Sequence, residues 1–251
     1  MRIFSKPLLA GIEGGVAMLL IACAPGQGGG AGSPPRDDDA FRERRLTMVS
    51  RQIEARGVTS PRVLDAMRKV PRHLYVPERL RGESYRDGPL PIGLGQTISQ
   101  PYIVALMTEA IHPEATMKVL EVGTGSGYQA AVLAECVGQV FTIEIVPELG
   151  RQAEQRLERL GYANVHTRVG DGFDGWPDEA PFDGIVVTAA PEQIPQPLLD
   201  QLAVGGRLVI PVGRASQDLI VVTRTESGYE RRSITPVRFV PMTGKAEQAP
   251  D

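Results

Sequence analysis

The sequence predicts an α/β fold: a doubly wound, mostly parallel sheet behind an N-terminal helical segment. Three observations carry this. Beyond residue 117, short apolar runs alternate with stretches of helical periodicity, the pattern of a parallel sheet covered on both faces. A glycine-rich run joins the first of those apolar runs to the helix that follows it. Hydrophobic residues make up 42% and charged residues 23% of the 251, which excludes a disordered chain, a fibre and a multi-span membrane protein. A net charge of −3 leaves no electrostatic footprint for nucleic acid, so no nucleic-acid partner is expected. Three histidines (His73, His112, His166) and two cysteines (Cys23, Cys136) stand at no metal-ligand spacing; neither a metal nor a disulfide scaffold is expected.

The elements follow in order. Residues 1–40 read as a signal-like segment and a flexible linker, and residues 41–251 as the folded domain, with 41–116 helical and 117–251 the α/β core. Leu46, Val49 and Ile53 lie at helical spacing between Arg42 and Arg56, and Gly57 can end that helix. Ser60-Pro61 starts a second helix whose apolar face is Val63, Leu64, Met67 and Val70, and Pro71 stops it. From Tyr75 to Ser99 the density of glycine and proline predicts an ordered loop, and Pro101 to Ile111 a third helix. Strands are expected at Lys118–Val122, Val140–Ile145, Val165–Val169, Phe182–Thr188, Arg207–Pro211 and Leu219–Thr225. Helices are expected at Tyr128–Cys136, Pro147–Leu160 and Pro197–Leu202. Cys136, inside an apolar helix, reads as a buried, inert thiol.

The run Glu121-Val122-Gly123-Thr124-Gly125-Ser126-Gly127-Tyr128 is a strand end, a glycine loop and a helix start. Glycines let the backbone turn sharply and let a ligand approach it closely. A dinucleotide fingerprint wants G-x-G-x-x-G/A, whereas here the third glycine comes one residue early and Tyr128 takes the last small position. The spacing E-x-G-x-G-x-G, with Glu121 leading, instead resembles motif I of S-adenosylmethionine-dependent methyltransferases. Glu144 lies 21 residues after Gly123 at the next strand end, where an acid can accept from both ribose hydroxyls. Asp171-Gly172 follows the third strand, where a carboxylate could hold an adenine amino group. Each feature has a plainer alternative: a tight strand–helix turn, a solvated strand end, an ordinary Gly-Asp-Gly turn. Their recurrence at three successive strand ends favours a cofactor site.

Gly95-Gln96-Thr97-Ile98-Ser99-Gln100-Pro101-Tyr102 resembles the signature of protein-L-isoaspartate O-methyltransferases. Val70-Pro71-Arg72, Pro89-Leu90-Pro91-Ile92-Gly93, Pro181-Phe182-Asp183-Gly184-Ile185 and Phe239-Val240-Pro241-Met242-Thr243 extend the resemblance in the family's order, from about Arg42 to Gln248. The resemblance implies a Rossmann-like sheet of the methyltransferase type. It implies methyl transfer from S-adenosylmethionine to the free α-carboxylate of L-isoaspartyl residues in damaged proteins and peptides. Ser99 matches the family's active-site serine, read as a hydrogen-bond donor; its other role would be N-cap of the Pro101 helix. Gly123, Thr124, Gly125, Gly127, Glu144, Asp171 and Gly172 would form the cofactor site with Glu121. Thr97, Ile98, Thr243 and Gln248 match positions where family members touch the cofactor. Competing readings are a methyltransferase for another carboxylate or hydroxyl, an NAD-dependent oxidoreductase, and a non-catalytic S-adenosylmethionine-binding module.

The N-terminus raises a separate question. Arg2 and Lys6 precede an apolar run ending Leu20-Ile21-Ala22-Cys23, which resembles a bacterial lipobox, but Glu13 interrupts the pattern. Eight clean apolar residues fall short of the ~20 that span a bilayer. Gly26 to Asp39 is rich in Gly, Ser and Pro and then acidic, as a flexible linker would be. The expectation is a cytoplasmic, monomeric enzyme with an N-terminal extension. The alternative is an exported lipoprotein with a membrane tether through Cys23.

Overall fold

The computed structural model describes residues 39–247; Cys23, the lipobox-like run, the linker as far as residue 38 and Gln248 lie outside them. Helix α1 (Asp39–Met48) runs on through a wider π-helical turn at Val49–Ile53 and a 3-10 turn to Gly57, which ends it at φ 94°. Met48, Val49 and Ile53, at and around the wider turn, are all fully buried. Helix α2 (Pro61–Lys69) buries Val63, Leu64 and Met67 as its periodicity requires. Ser60 occupies its N-cap without a side-chain cap bond. The amides of Thr59 and Ser60 donate instead to Oε1 of Glu109, at 2.7 and 2.6 Å.

The 75–99 segment departs from the loop its composition suggests. After 3-10 turns it forms an antiparallel hairpin, β1 (Leu90–Gly93) and β2 (Gln96–Ile98), with Leu90 opposite Ile98. Its glycines serve the turn: Gly93, Leu94 and Gly95 all adopt positive φ. Helix α3 (Pro101–Ala110) follows with Gln100, not Ser99, at its N-cap, so the capping role considered for Ser99 is not what the structure shows. Pro101 at the first helical position sets that boundary one residue beyond Ser99.

The alternating core then unfolds in order: β3 (Lys118–Val122), α4 (Tyr128–Ala134), β4 (Gln139–Glu144), α5 (Pro147–Arg159), β5 (Val165–Val169), β6 (Phe182–Val187), α6 (Gln196–Asp200), β7 (Leu202–Val212), β8 (Gln217–Thr225) and β9 (Gly228–Val237). The sheet order is β5-β4-β3-β6-β7-β8-β9. Pairings from β5 to β7 are parallel, and β8 and β9 add two antiparallel strands at one edge. The sequence reading omitted β9, because an edge strand with most positions solvent-facing carries no apolar run.

Period-two alternation along the strands feeds two cores. Val119, Val140, Val186, Val209 and Val221 point to the face covered by α2, α3 and α4. Leu120, Val122, Ile143, Ile185 and Leu208 point to the opposite face, against Leu198 and Leu199 of α6. Helices on both faces make the sheet doubly wound, and strands buried on both sides explain the continuous apolar runs. Cys136 is buried among the first core, and burial pushes its thiol up to about 12.

The turn after β5 lies close against β3. A Cβ on Gly172 would stand 2.3 Å from Cγ1 of the buried Val122. Gly172→Ala should therefore destabilise the protein by about 1–3 kcal/mol through overpacking, read from urea unfolding. Wild-type stability in this variant would show that the two segments are not in that contact.

Candidate active site

The chain leaves β3 for β4 and β5 on one side, then returns to β6 on the other, so the ends of β3 and β6 form the topological switch point. Ligands of doubly wound sheets bind at such a crevice. The loop 123–127 fills it. Gly123 adopts φ 98°, and a Cβ there would fall 2.3 Å from Oγ1 of Thr188, whose hydroxyl is within hydrogen-bond distance of the carbonyls of Gly123 (2.7 Å) and Val122 (3.0 Å). Gly125 adopts φ 52° and stands bare on the cleft wall. Gly127 ends the loop at the N-cap of α4.

Glu144, at the carboxyl end of β4, is 5% exposed. Its Oε2 accepts the Gly125 amide at 2.7 Å and its Oε1 the Val146 amide at 2.9 Å. A carboxylate offers about four acceptor positions, so capacity remains on both oxygens. The acid read from the sequence as a ribose acceptor thus also pins the glycine loop.

Glu121 is fully buried on the helical side of β3. Thr142 donates to its Oε2 at 2.5 Å, and Thr124 lies 2.6 Å from the same Thr142 hydroxyl. Oε1 of Glu121 and Oε1 of Gln129 are buried without hydrogen-bond partners among the described residues. Both residues line a small cavity under the glycine loop that also reaches Thr97, Ile98 and Ser99. Burial pushes the Glu121 carboxyl up to about 8; the Thr142 hydrogen bond opposes the rise and the Glu144 charge adds to it. Glu121 is therefore neutral at pH 7.

The cleft at the switch point takes in about 590 Å³ with the open solvent at its mouth included. Gly123, Gly125, Glu144, Gly172, Thr97 and Thr243 line it. Asp171 does not: its Oδ1 accepts the Phe173 amide at 2.9 Å and its Oδ2 the Lys245 amide at 2.8 Å, tying the turn after β5 to the C-terminal segment. That segment is held over the cleft by Ala190, whose amide donates to Val240 and whose carbonyl accepts from Met242, both at 2.8 Å.

A second cleft, about 1110 Å³ on the same measure, opens beside the first. Ser99, Gln100, Tyr102, Arg56 and Arg238 line it, and Thr97 and Thr188 line both clefts. Thr188, Ile145 and the 240–242 backbone were missed in the sequence reading. Thr188 had a usable signal, a polar residue ending the strand at the switch point; residues 240–242 lie in a run that carries the resemblance, and Ile145 contributes apolar surface that no motif marks.

The profile of the family described as protein-L-isoaspartate(D-aspartate) O-methyltransferase matches residues 43–247. A protein-L-isoaspartate O-methyltransferase of Picosynechococcus is 57% identical over 84% of this chain and 96% of its own length. That of Gloeobacter violaceus is 58% identical over 80% of this chain and 99% of its own. Among solved structures, a protein-L-isoaspartate O-methyltransferase superposes with a TM-score of 0.74 at 29% identity, covering 82% of this chain and 67% of that one. A Plasmodium falciparum protein assigned to the same activity, solved in complex with S-adenosyl-L-homocysteine, shares the fold at a TM-score of 0.67 and 24% identity, over 79% of this chain and 98% of that one.

The buried acid gives a pH test. The folded protein holds the Glu121 proton to about pH 8, whereas the unfolded chain releases it near 4.5. The stability tied to that proton is whole below pH 4.5 and is lost as pH rises towards 8, with a limiting slope of about 1.4 kcal/mol per pH unit. Glu121→Gln keeps an acceptor for Thr142 and removes the titration. Its stability relative to wild type should rise between pH 5 and about 8 and level off above that in denaturant melts; a flat difference would contradict the buried, protonated acid.

Proposed function

The chain belongs to the protein-L-isoaspartate(D-aspartate) O-methyltransferase family, and from that premise we propose how its residues divide the work. The enzyme moves a methyl group from S-adenosylmethionine to the free α-carboxylate of L-isoaspartyl residues in damaged proteins and peptides. The residues at the switch point fit that cofactor. A bare glycine backbone admits close approach, Glu144 retains acceptor capacity for hydroxyls, and the orphaned Oε1 of Glu121 faces the small cavity beneath the loop.

When bound, S-adenosylmethionine supplies a methyl on a cationic sulfur, whose departure as a neutral thioether balances conversion of the carboxylate to a neutral ester. A carboxylate with a pKa of about 4 is already ionised at neutral pH, so these residues need hold no base. Positioning is what remains for the protein to provide. Glu144 fixes the Gly125 amide and receives the ribose hydroxyls. Gly123, Thr124, Gly125 and Gly127 shape the cradle, with Glu121 neutral behind it. Gly172 and Thr243 would close the adenine end, with Asp171, outside the cleft lining, holding their two segments together. Thr97 forms the wall towards the substrate and Ile98 borders the cavity beneath the loop, while the cofactor role implied for Gln248 rests on the resemblance alone.

One observation carries the role of Ser99. It stands in the second cleft and borders the cavity under the glycine loop, beside the Thr97–Thr188 wall that the two clefts share. Its hydroxyl donates to the substrate carboxylate and holds one oxygen towards the methyl. No described helix is long and apolar enough to cross a membrane. We place catalysis in a cytoplasmic, monomeric domain of residues 41–251, with residues 1–40 dispensable for turnover.

The test uses paired peptides and labelled S-adenosylmethionine. The L-isoaspartyl peptide should take label and its L-aspartyl isomer almost none, and equal labelling of both refutes the reading. Ser99→Ala should bind cofactor normally and turn over roughly ten- to a hundredfold more slowly, equivalent to about 1.5–3 kcal/mol. Unchanged turnover would remove Ser99 from the reaction.

A further inference from the structure

The second cleft carries information about the substrate beyond its isoaspartyl residue, on the premise of the function just given. Its charged liners are Arg56 and Arg238, and no carboxylate among the described residues lines it. The two arginines differ in their commitments. Arg56 is fixed within the protein: its guanidinium stacks 3.6 Å from the Tyr102 ring centroid and pairs with Asp87 at 3.1 Å. Asp87 is anchored in turn by the Gln100 side-chain amide at 2.6 Å. Arg238 follows β9 and is exposed, with no hydrogen bond or ion pair among the described residues. Its backbone is steadied next door, where Phe239 donates to Gln217 Oε1 at 2.6 Å and accepts from Gln217 Nε2 at 3.2 Å. A free cation on a held strand end faces a cleft with no opposing charge.

The reacting α-carboxylate is not a good partner for that cation. Its charge vanishes in the ester, so a guanidinium paired with it would stabilise the ground state more than the transition state and slow the reaction. A neutral donor such as Ser99 carries less of that penalty. An anion that keeps its charge through the reaction can use Arg238 at no cost to the barrier. We propose that Arg238 is a specificity residue that selects isoaspartyl peptides bearing a second carboxylate close to the isoaspartyl residue. That carboxylate comes from an acidic side chain or from a nearby chain terminus, since the guanidinium recognises the same fork in both.

The experiment measures kcat and KM of the full chain with four short isoaspartyl peptides. Three are C-terminally amidated, with Glu, Gln or Lys next to the isoaspartyl residue; the fourth has Gln and a free carboxyl terminus. KM should be lowest for Glu or for the free terminus, intermediate for amidated Gln and highest for Lys, in steps of roughly 1.5- to fivefold as expected of a solvent-exposed pair. The step should shrink as salt is raised. Arg238→Gln should flatten the ranking and Arg238→Glu invert it, with the change in KM more than in kcat. The peptide that gains identifies the source of the carboxylate. A ranking that survives in both variants, or equal KM values in wild type, overturns the inference while leaving isoaspartyl methylation standing. If no peptide takes label, the proposed function falls first and this inference with it.

Discussion

The Glu144 carboxylate bridges parts of the chain that meet only in the folded sheet. One oxygen takes the amide of Gly125, in the loop after β3, and the other the amide of Val146, just before α5. Buried hydrogen bonds to an ionised acceptor are among the stronger ones a protein makes. Without this one, the Gly125 amide would lose its described partner in a loop where Gly123, Gly125 and Gly127 all adopt positive φ. The cradle, the cleft and the wall shared with Ser99 all take their positions from that loop.

Beneath it lies a second, neutral layer. Thr124 from the loop, Thr142 from β4 and Glu121 from β3 form one hydroxyl–carboxyl chain within the sheet. An ionised Glu121 so near Glu144 would add a second buried negative charge to the site; burial keeps it protonated instead. The two acids at adjacent strand ends therefore differ, Glu144 holding backbone amides with acceptor positions to spare and Glu121 holding the Thr142–Thr124 hydroxyl pair. On the far side, Asp171 and Ala190 bind the C-terminal segment down across the cleft, so the site is closed by a stretch far from the glycine loop in sequence.

Much of this was legible from residues alone, and the exceptions share a cause. Strands β3, β4 and β6 show as apolar runs because they are buried on both faces. The glycine loop and Glu144 show because the turn and the acceptor demand particular residue types at particular spacing. The hairpin of β1 and β2 did not show, since proline and glycine mark turns and edge strands alike. Strand β9 did not show because its side chains mostly meet solvent. The N-cap of α3 falls on Gln100 because Pro101 fixes where the helix begins, which separates Ser99 from a capping role. Of Asp171's two backbone contacts, that to the Phe173 amide is local to its turn, whereas that to the Lys245 amide follows from the fold of residues 244–247, which nothing in the Gly-Asp-Gly run reveals.

The central claim is that Glu144 both pins the loop and receives the cofactor. Titration calorimetry of Glu144→Ala with S-adenosylhomocysteine tests it most directly, with circular dichroism to establish that the variant is folded. Losing a charge-assisted hydrogen bond and a loop anchor should weaken binding by about 1.5–3 kcal/mol or more, at least tenfold in Kd. A folded Glu144→Ala protein that binds with wild-type affinity would contradict the account.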